Sequence, residues 1–330
     1  MARHPWVAAG DEGLRWGVQL VVGADALGSL VDTGRVVEDL GYDGLFIFDH
    51  PAIHADPWVC LSALAAVTKR VRLGSAVNCI GYRHPAYLAR LAADLDNLSG
   101  GRLVLGLGIG WLVPEFAAFD IPFNSAKERF AAFAEALEII PGVWGNERFS
   151  YEGQHYRVTD LRIQPPPVQL PRPPVMIGGS GEQVTLRFVA KYADACNVSN
   201  TVSIDGKVGD GGGATLVTQR LDALRRHCDD LDRPYDEVLR THFTIKLVIA
   251  RTEADLAEKM ERQAAKPSTS PGTRRTLPSA FVTGTPDQVV AHYQAIADAG
   301  IQYFIAQVES TDLETLELLA TEVVPRVEGG

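Results

Sequence analysis

The sequence predicts an α/β protein, a (β/α)8 TIM barrel with a hairpin insertion between its fourth helix and fifth strand. Three observations predict it. Eight short apolar runs have the length of strands, and segments with helical periodicity return between them. Several runs, Leu45–Phe48 (LFIF) and Leu103–Gly108 (LVLGLG) among them, are continuously apolar instead of alternating. That is the pattern of parallel strands covered on both faces. Strand alternating with helix eight times favours a closed barrel.

The strands are read at Leu14–Val22, Gly44–Asp49, Val71–Val77, Leu103–Leu107, Pro174–Gly178, Asp194–Ser199, Thr241–Ala250 and Gln302–Val308. Asp56-Pro57 supplies an N-cap and first helical residue for WVCLSALAAVTKR. Leu88, Leu91, Leu95 and Leu98 make a helical stripe that stops at Gly100-Gly101, a natural C-terminal position. Ser125-Ala126-Lys127-Glu128 is a capping box before Phe130, Phe133 and Leu137, and Pro141 reads as a kink in that helix. Residues 147–174 break the alternation. RFSYEG and QHYRVTD read as a hairpin, and IQPPPVQLPRPP as an extended connector to the fifth strand. The glycine-rich stretch 205–215 and the Pro/Ser/Thr-rich stretch 266–279, which holds Arg274-Arg275, are candidate mobile loops over a site. With no short-period repeat and no second domain in view, residues 1–330 are read as one domain.

At 330 residues, 46% hydrophobic and 22% charged, the composition is that of an ordinary globular enzyme. The formal charge of −10 argues against nonspecific nucleic-acid binding, which needs a basic face, but leaves room for a local anion pocket. No run approaches the roughly 20 apolar residues that cross a bilayer, and the N-terminal segment lacks a signal-like apolar core. Cys60, Cys79, Cys196 and Cys228 form no C-x-x-C pair. They suit buried or site-lining thiols in a reducing compartment, so a cytoplasmic location, with no membrane and no nucleic-acid partner, is expected.

Strand ends are where a βα barrel places its chemistry. Asp49-His50 follows LFIF directly. Histidine titrates near neutrality, and a neighbouring carboxylate can set its tautomer; the alternative is a strand-end histidine bonded to a backbone carbonyl. Gly106-Leu107-Gly108-Ile109-Gly110 before Trp111 allows close approach of a planar ligand, or is a tight βα turn. It lacks the full G-x-G-x-x-G dinucleotide fingerprint. Gly178-Gly179-Ser180-Gly181 is read as opening the helix EQVTLRFVAKYAD, where exposed amides and the helix dipole favour an anion such as a cofactor phosphate; a simple barrel turn is the alternative. His50 and His54 stand at i and i+4, but Pro51 interrupts them and no further histidine pattern supports a metal site.

The ordered motifs Gly41–His50, Val71–Val77, Tyr82–Trp111, Pro173–Gly181 and Val189–Val198 together resemble the luciferase-like monooxygenase superfamily. The likeness points to the branch of actinobacterial oxidoreductases that use the deazaflavin coenzyme F420. It covers Leu14 to Asn200 closely and Gly284–Phe304 more loosely. The resemblance implies hydride transfer between the deazaflavin C5 and a small organic substrate. By it, Asp49 would hold the polar edge of the deazaflavin and His50 would lie beside the ring as proton donor or charge stabiliser. The segment Ser75-Ala76-Val77 would form a bulge with a non-prolyl cis bond at Ala76–Val77, pressed against the ring, with Cys79 at the ring edge and Ile109 and Gly110 against the ring. Gly178, Gly179, Gly181 and Glu182 would bind phosphate through their amides. The family's glucose-6-phosphate dehydrogenases carry a catalytic glutamate where this chain has Trp111. That departure argues against sugar-phosphate oxidation and for an apolar substrate pocket at Trp111. The alternatives are an FMN-dependent monooxygenase using reduced flavin and O2, and a catalytically silent flavin- or deazaflavin-binding paralogue. The resemblance also points to a homodimer, with the assembly left open.

Overall fold

The computed structural model describes residues 3–23, 26–145, 147–199, 213–265 and 281–329. Eight parallel strands form its centre: β1 (Arg15–Val21), β2 (Gly44–Ile47), β3 (Arg72–Ser75), β4 (Leu103–Gly108), β5 (Val175–Gly178), β6 (Ala195–Ser199), β7 (Leu239–Thr244) and β8 (Tyr303–Glu309). Each pairs with its sequence neighbours, and β1 pairs with β8 from Arg15↔Tyr303 to Val21↔Glu309, so the sheet closes into a TIM barrel. The continuously apolar runs are explained by this closure. One face of each strand packs inside the barrel and the other under the helices.

The helix signals are realised locally. Asp56 caps Pro57–Val67 by accepting from the Trp58 amide at 2.8 Å. Pro85–Ser99 ends at Gly100, whose φ of 67° suits glycine. Ser125 and Glu128 form the capping box of Ala126–Val143, which contains Pro141. Phe149–Glu152 and Arg157–Leu161 make the antiparallel hairpin. The proline-rich connector is tied to helix Pro85–Ser99 by buried Asp96, which accepts from the Val168 and Gln169 amides at 2.8 and 3.0 Å.

Four readings need correction. The run 241–250 is not one strand. Lys246 turns the chain at φ 46°, and Leu247–Ile249 leaves the barrel to pair with Val282–Gly284. The third strand stops at Ser75, before a bulge that rejoins β4 through Asn78–Cys79. Leu98 is 54% exposed, because the buried face of its helix turns through Ala89, Ala92, Ala93 and Asp96. The helix after β5 begins at Thr185, not Glu182. The stretches 205–212 and 266–279 lie outside the described residues, and 213–215 begin the helix Gly213–Asp230.

The floor of the barrel is closed by the short helix Pro5–Ala8. Trp6, 1% exposed, meets Tyr303 edge-on at 5.7 Å, and its carbonyl accepts from Arg15 Nη2 at 2.6 Å. The interior cluster above it includes Phe46, Val104, Met176 and Ile305. Trp6→Ala removes that plug. We expect it to cost about 3–5 kcal/mol, read as a lower urea midpoint at unchanged slope. An unchanged midpoint would show that Trp6 does not seal the floor.

Candidate active site

At the opposite end of the barrel lies a cavity of about 650 Å³ to which all eight strand ends contribute. All twelve residues singled out from the sequence line it: Asp49, His50, Ala76, Val77, Cys79, Ile109, Gly110, Trp111, Gly178, Gly179, Gly181 and Glu182. Their common position follows from barrel geometry, which brings the C-terminal ends of all strands to one rim.

The first cluster is electrostatic. Asp49 is buried, and its Oδ2 accepts from Arg83 Nη1 at 2.6 Å and from the Cys79 amide at 3.1 Å. Arg83 also reaches Asp56 Oδ2 at 2.6 Å, so one guanidinium joins a helix cap to the site. Asp49 Oδ1, buried and lining the same wall, has no protein partner. Burial pushes this carboxyl above the ordinary carboxylate range, and Arg83 and the Cys79 amide offset only part of that. Cys79 itself is pushed by burial up to about 12, so its thiol keeps its proton and contributes shape.

The second cluster surrounds His50. Its Nδ1 lies 2.8 Å from Glu115 Oε2, which leaves Nε2 for the cavity. Trp111 meets the His50 ring edge-on at 5.5 Å. Glu115 is buried and also accepts from the Tyr82 hydroxyl at 2.6 Å and the Ala52 amide at 2.9 Å. Burial pushes the Glu115 carboxyl up; His50, Tyr82 and Ala52 together outweigh it and hold the group below its usual range. His54 packs against Phe48 at 4.3 Å. Burial, with the His50 ring beside it, pushes its imidazole down to about 4, so it is uncharged at neutral pH. Among the described residues no three metal-ligating side chains gather.

The glycine-rich exit of β4 has a packing explanation beyond access for a planar ligand. A Cβ on Gly108 would stand 2.8 Å from Val77 Cγ2, and one on Gly178 would stand 2.8 Å from Val77 Cγ1. Val77, on the far side of the cis Ala76–Val77 bond, therefore sits between two strand ends that cannot carry side chains. The Ala76 carbonyl accepts from Gln19 Nε2, and Gln19 Oε1 accepts from Gln307 Nε2 at 2.8 Å. Gly179 has φ 131° and donates to the Asn197 carbonyl at 3.3 Å. The turn Gly178–Val184 runs along the cavity wall into the first turn of Thr185–Tyr192. Glu182 is held from behind, its Oε1 by Gln219 and its carbonyl by His227 Nε2, each at 2.8 Å.

Sequence reasoning missed Glu115, Tyr82, Arg83, Gln19 and Gln307. Two signals were available. Gln19 and Gln307 are lone polar residues inside apolar strand runs, and they stand opposite each other in register. Glu115 is the acidic residue of an otherwise apolar segment, LVPEFAAF.

Comparison with known proteins agrees with this architecture. The luciferase-like monooxygenase family model matches residues 12–208. An F420-dependent glucose-6-phosphate dehydrogenase from Microbacterium testaceum is 30% identical over 90% of this chain and 93% of its own length. An F420-dependent secondary alcohol dehydrogenase, solved with an F420–acetone adduct, superposes with a TM-score of 0.79 at 16% identity, covering 95% of this chain and 99% of its own. The coenzyme F420-dependent tetrahydromethanopterin reductase of Methanopyrus kandleri gives 0.76 at 19% identity, with the same coverage. Among the described residues no helix is long and apolar enough to cross a membrane. On its family match and its barrel, this chain belongs to the luciferase-like monooxygenase family of enzymes.

Proposed function

We propose that the protein is an F420-dependent oxidoreductase that moves hydride between the deazaflavin and a small, apolar organic substrate. One observation carries the reading: His50, backed by Glu115, and Asp49, whose buried Oδ1 has no protein partner, line the same apolar cavity, whose far wall is a glycine turn at a helix start. Relatives named as F420-dependent dehydrogenases, 28–30% identical over nine-tenths of the chain, support the deazaflavin over FMN.

The residues fit such a cofactor. Asp49 Oδ1 would meet the polar edge of the ring, and the wall from Ala76 to Cys79 and from Ile109 to Gly110 would lie along its face. The turn Gly178–Glu182 would take the phosphate, with the amides of Gly181 and Glu182 as donors while that of Gly179 stays on the Asn197 carbonyl, aided by the dipole of Thr185–Tyr192. When bound, F420 supplies hydride exchange at C5 and reacts poorly with oxygen. The protein orients, excludes water, and handles the proton that accompanies hydride transfer. His50 would give or take that proton at Nε2, with Trp111 closing the substrate side. Apolar residues lining the cavity include Phe48, Ile53, Trp111, Leu112 and Phe130, and Phe48 and Trp111 meet the His50 ring at 5.6 and 5.5 Å. Among the described residues that line the cavity there is no lysine or arginine to pair with a sugar phosphate.

Three outcomes test the reading. Titration with F420 and with FMN, followed by tryptophan quenching, should show preference for F420; preference for FMN would move the protein to the oxygen-using reading. In a screen of small apolar alcohols and carbonyl compounds, His50→Ala should keep cofactor affinity but lose about 10²–10⁴-fold in turnover. Normal turnover by that variant would remove His50 from the chemistry. Gly179→Asp should bind F420 at least tenfold more weakly than Gly179→Ala, a pair that shares the backbone cost of φ 131° and differs in charge. Equal affinities would place the phosphate elsewhere.

A further inference from the structure

We infer that Glu115 is a positioning residue that fixes His50 as its Nδ1–H tautomer and thereby presents an Nε2 lone pair to the cavity. The inference rests on the proposed role of His50 as proton carrier. It adds a residue to that role and states which protonation form the protein builds.

A carboxylate can only accept hydrogen bonds, so the short Nδ1···Oε2 contact of 2.8 Å requires the proton on Nδ1. In the neutral ring the lone pair then lies on Nε2. Glu115 is itself held on both oxygens: Oε2 by the Tyr82 hydroxyl at 2.6 Å and Oε1 by the Ala52 amide at 2.9 Å. Its side chain is 1% exposed and that of His50 is 20% exposed, so the pair meets inside the wall with only the histidine reaching the cavity. Trp111 stands edge-on to the same imidazole, which limits rotation of the ring. When Nε2 gains a proton, the resulting imidazolium is paired at once with a buried carboxylate. No charge has to be rebuilt by solvent at that moment.

Glu115→Gln separates this role from simple support of the loop. The Ala52 amide needs an acceptor, so the glutamine oxygen takes the place of Oε1; its NH2, with two hydrogens, then faces both His50 and the Tyr82 oxygen, and the Tyr82 hydroxyl turns from donor to acceptor. An NH2 group donates, so Nδ1 must become the acceptor and the proton moves to Nε2. The backbone contact survives while the tautomer inverts.

The primary experiment uses 15N-histidine-labelled protein without cofactor, at a pH where the ring is neutral. The His50 signal, one of eight histidines, is assigned by its loss in His50→Ala. We expect a protonated Nδ1 and a bare Nε2 in the native protein, and the reverse in Glu115→Gln. A native ring protonated on Nε2, or a tautomer unchanged by the substitution, would overturn the inference. The native measurement stands even if the variant folds poorly. In turnover, Glu115→Gln should lower kcat about 10²–10⁴-fold with cofactor affinity within twofold. A loss confined to KM or to cofactor affinity would assign Glu115 a supporting role only. Because the tautomer is read without cofactor or substrate, failure here is distinct from failure of the F420 reading, which the cofactor titration decides.

Discussion

At Gly106 the barrel wall leaves no room for a side chain: a Cβ there would lie 1.9 Å from the Ser75 carbonyl. This close approach of β4 to the end of β3 organises the site. It lets Ser75 Oγ donate to the Gly106 carbonyl at 3.0 Å and brings the side-chain Nδ2 of Asn78 onto the same oxygen at 3.1 Å. The backbone between them bulges inward as Ala76–Val77. Val77 fills the gap left by two more glycines, and the chain returns at Cys79 with its amide on Asp49. One steric constraint thus sets the cavity wall and one bond of the Asp49 carboxylate.

The two polar clusters solve the same problem differently. Each brings a carboxylate out of water, which is costly unless the group is paired or hydrogen-bonded. Asp49 is matched by Arg83 on one oxygen and left open on the other. Glu115 is matched on both by neutral or titratable donors. The open oxygen suits recognition of a ligand, and the saturated carboxylate suits holding a neighbour still. Arg83 ties the first cluster to the cap of Pro57–Val67, so the wall that faces the ligand is anchored in a helix outside the barrel.

Local chemistry made much of this legible from the chain. Continuous apolar runs marked the strands, Asp56-Pro57 and Ser125–Glu128 marked helix starts, and glycine clusters marked strand exits. The failures are non-local or conformational. Nothing in the run 241–250 distinguishes Lys246 as a left-handed residue, because its neighbours keep strand-like composition. Leu98 fits the helical stripe by spacing, yet the stripe rotates toward alanines that pack closer. Glu115 is separated from His50 by 65 residues, and only the pairing of both β2 and β4 with β3 brings their exits together. The individual site residues could be placed by their strand ends; the hydrogen bonds that give them distinct roles could not.

The pairing of β1 with β8 has a consequence for how the molecule is made. Residue 15 finds its partner at residue 303, so the seam is the most distant contact of the barrel along the chain. Gln307 arrives with that last strand and holds Gln19, which in turn holds the Ala76 carbonyl. A nascent chain that has emerged only as far as β7 lacks this relay, and the loop-closure entropy of nearly the whole barrel is met in one late step. The ligand cavity is therefore completed by the same event that removes the last open sheet edges, and partly made chains expose those edges until β8 docks.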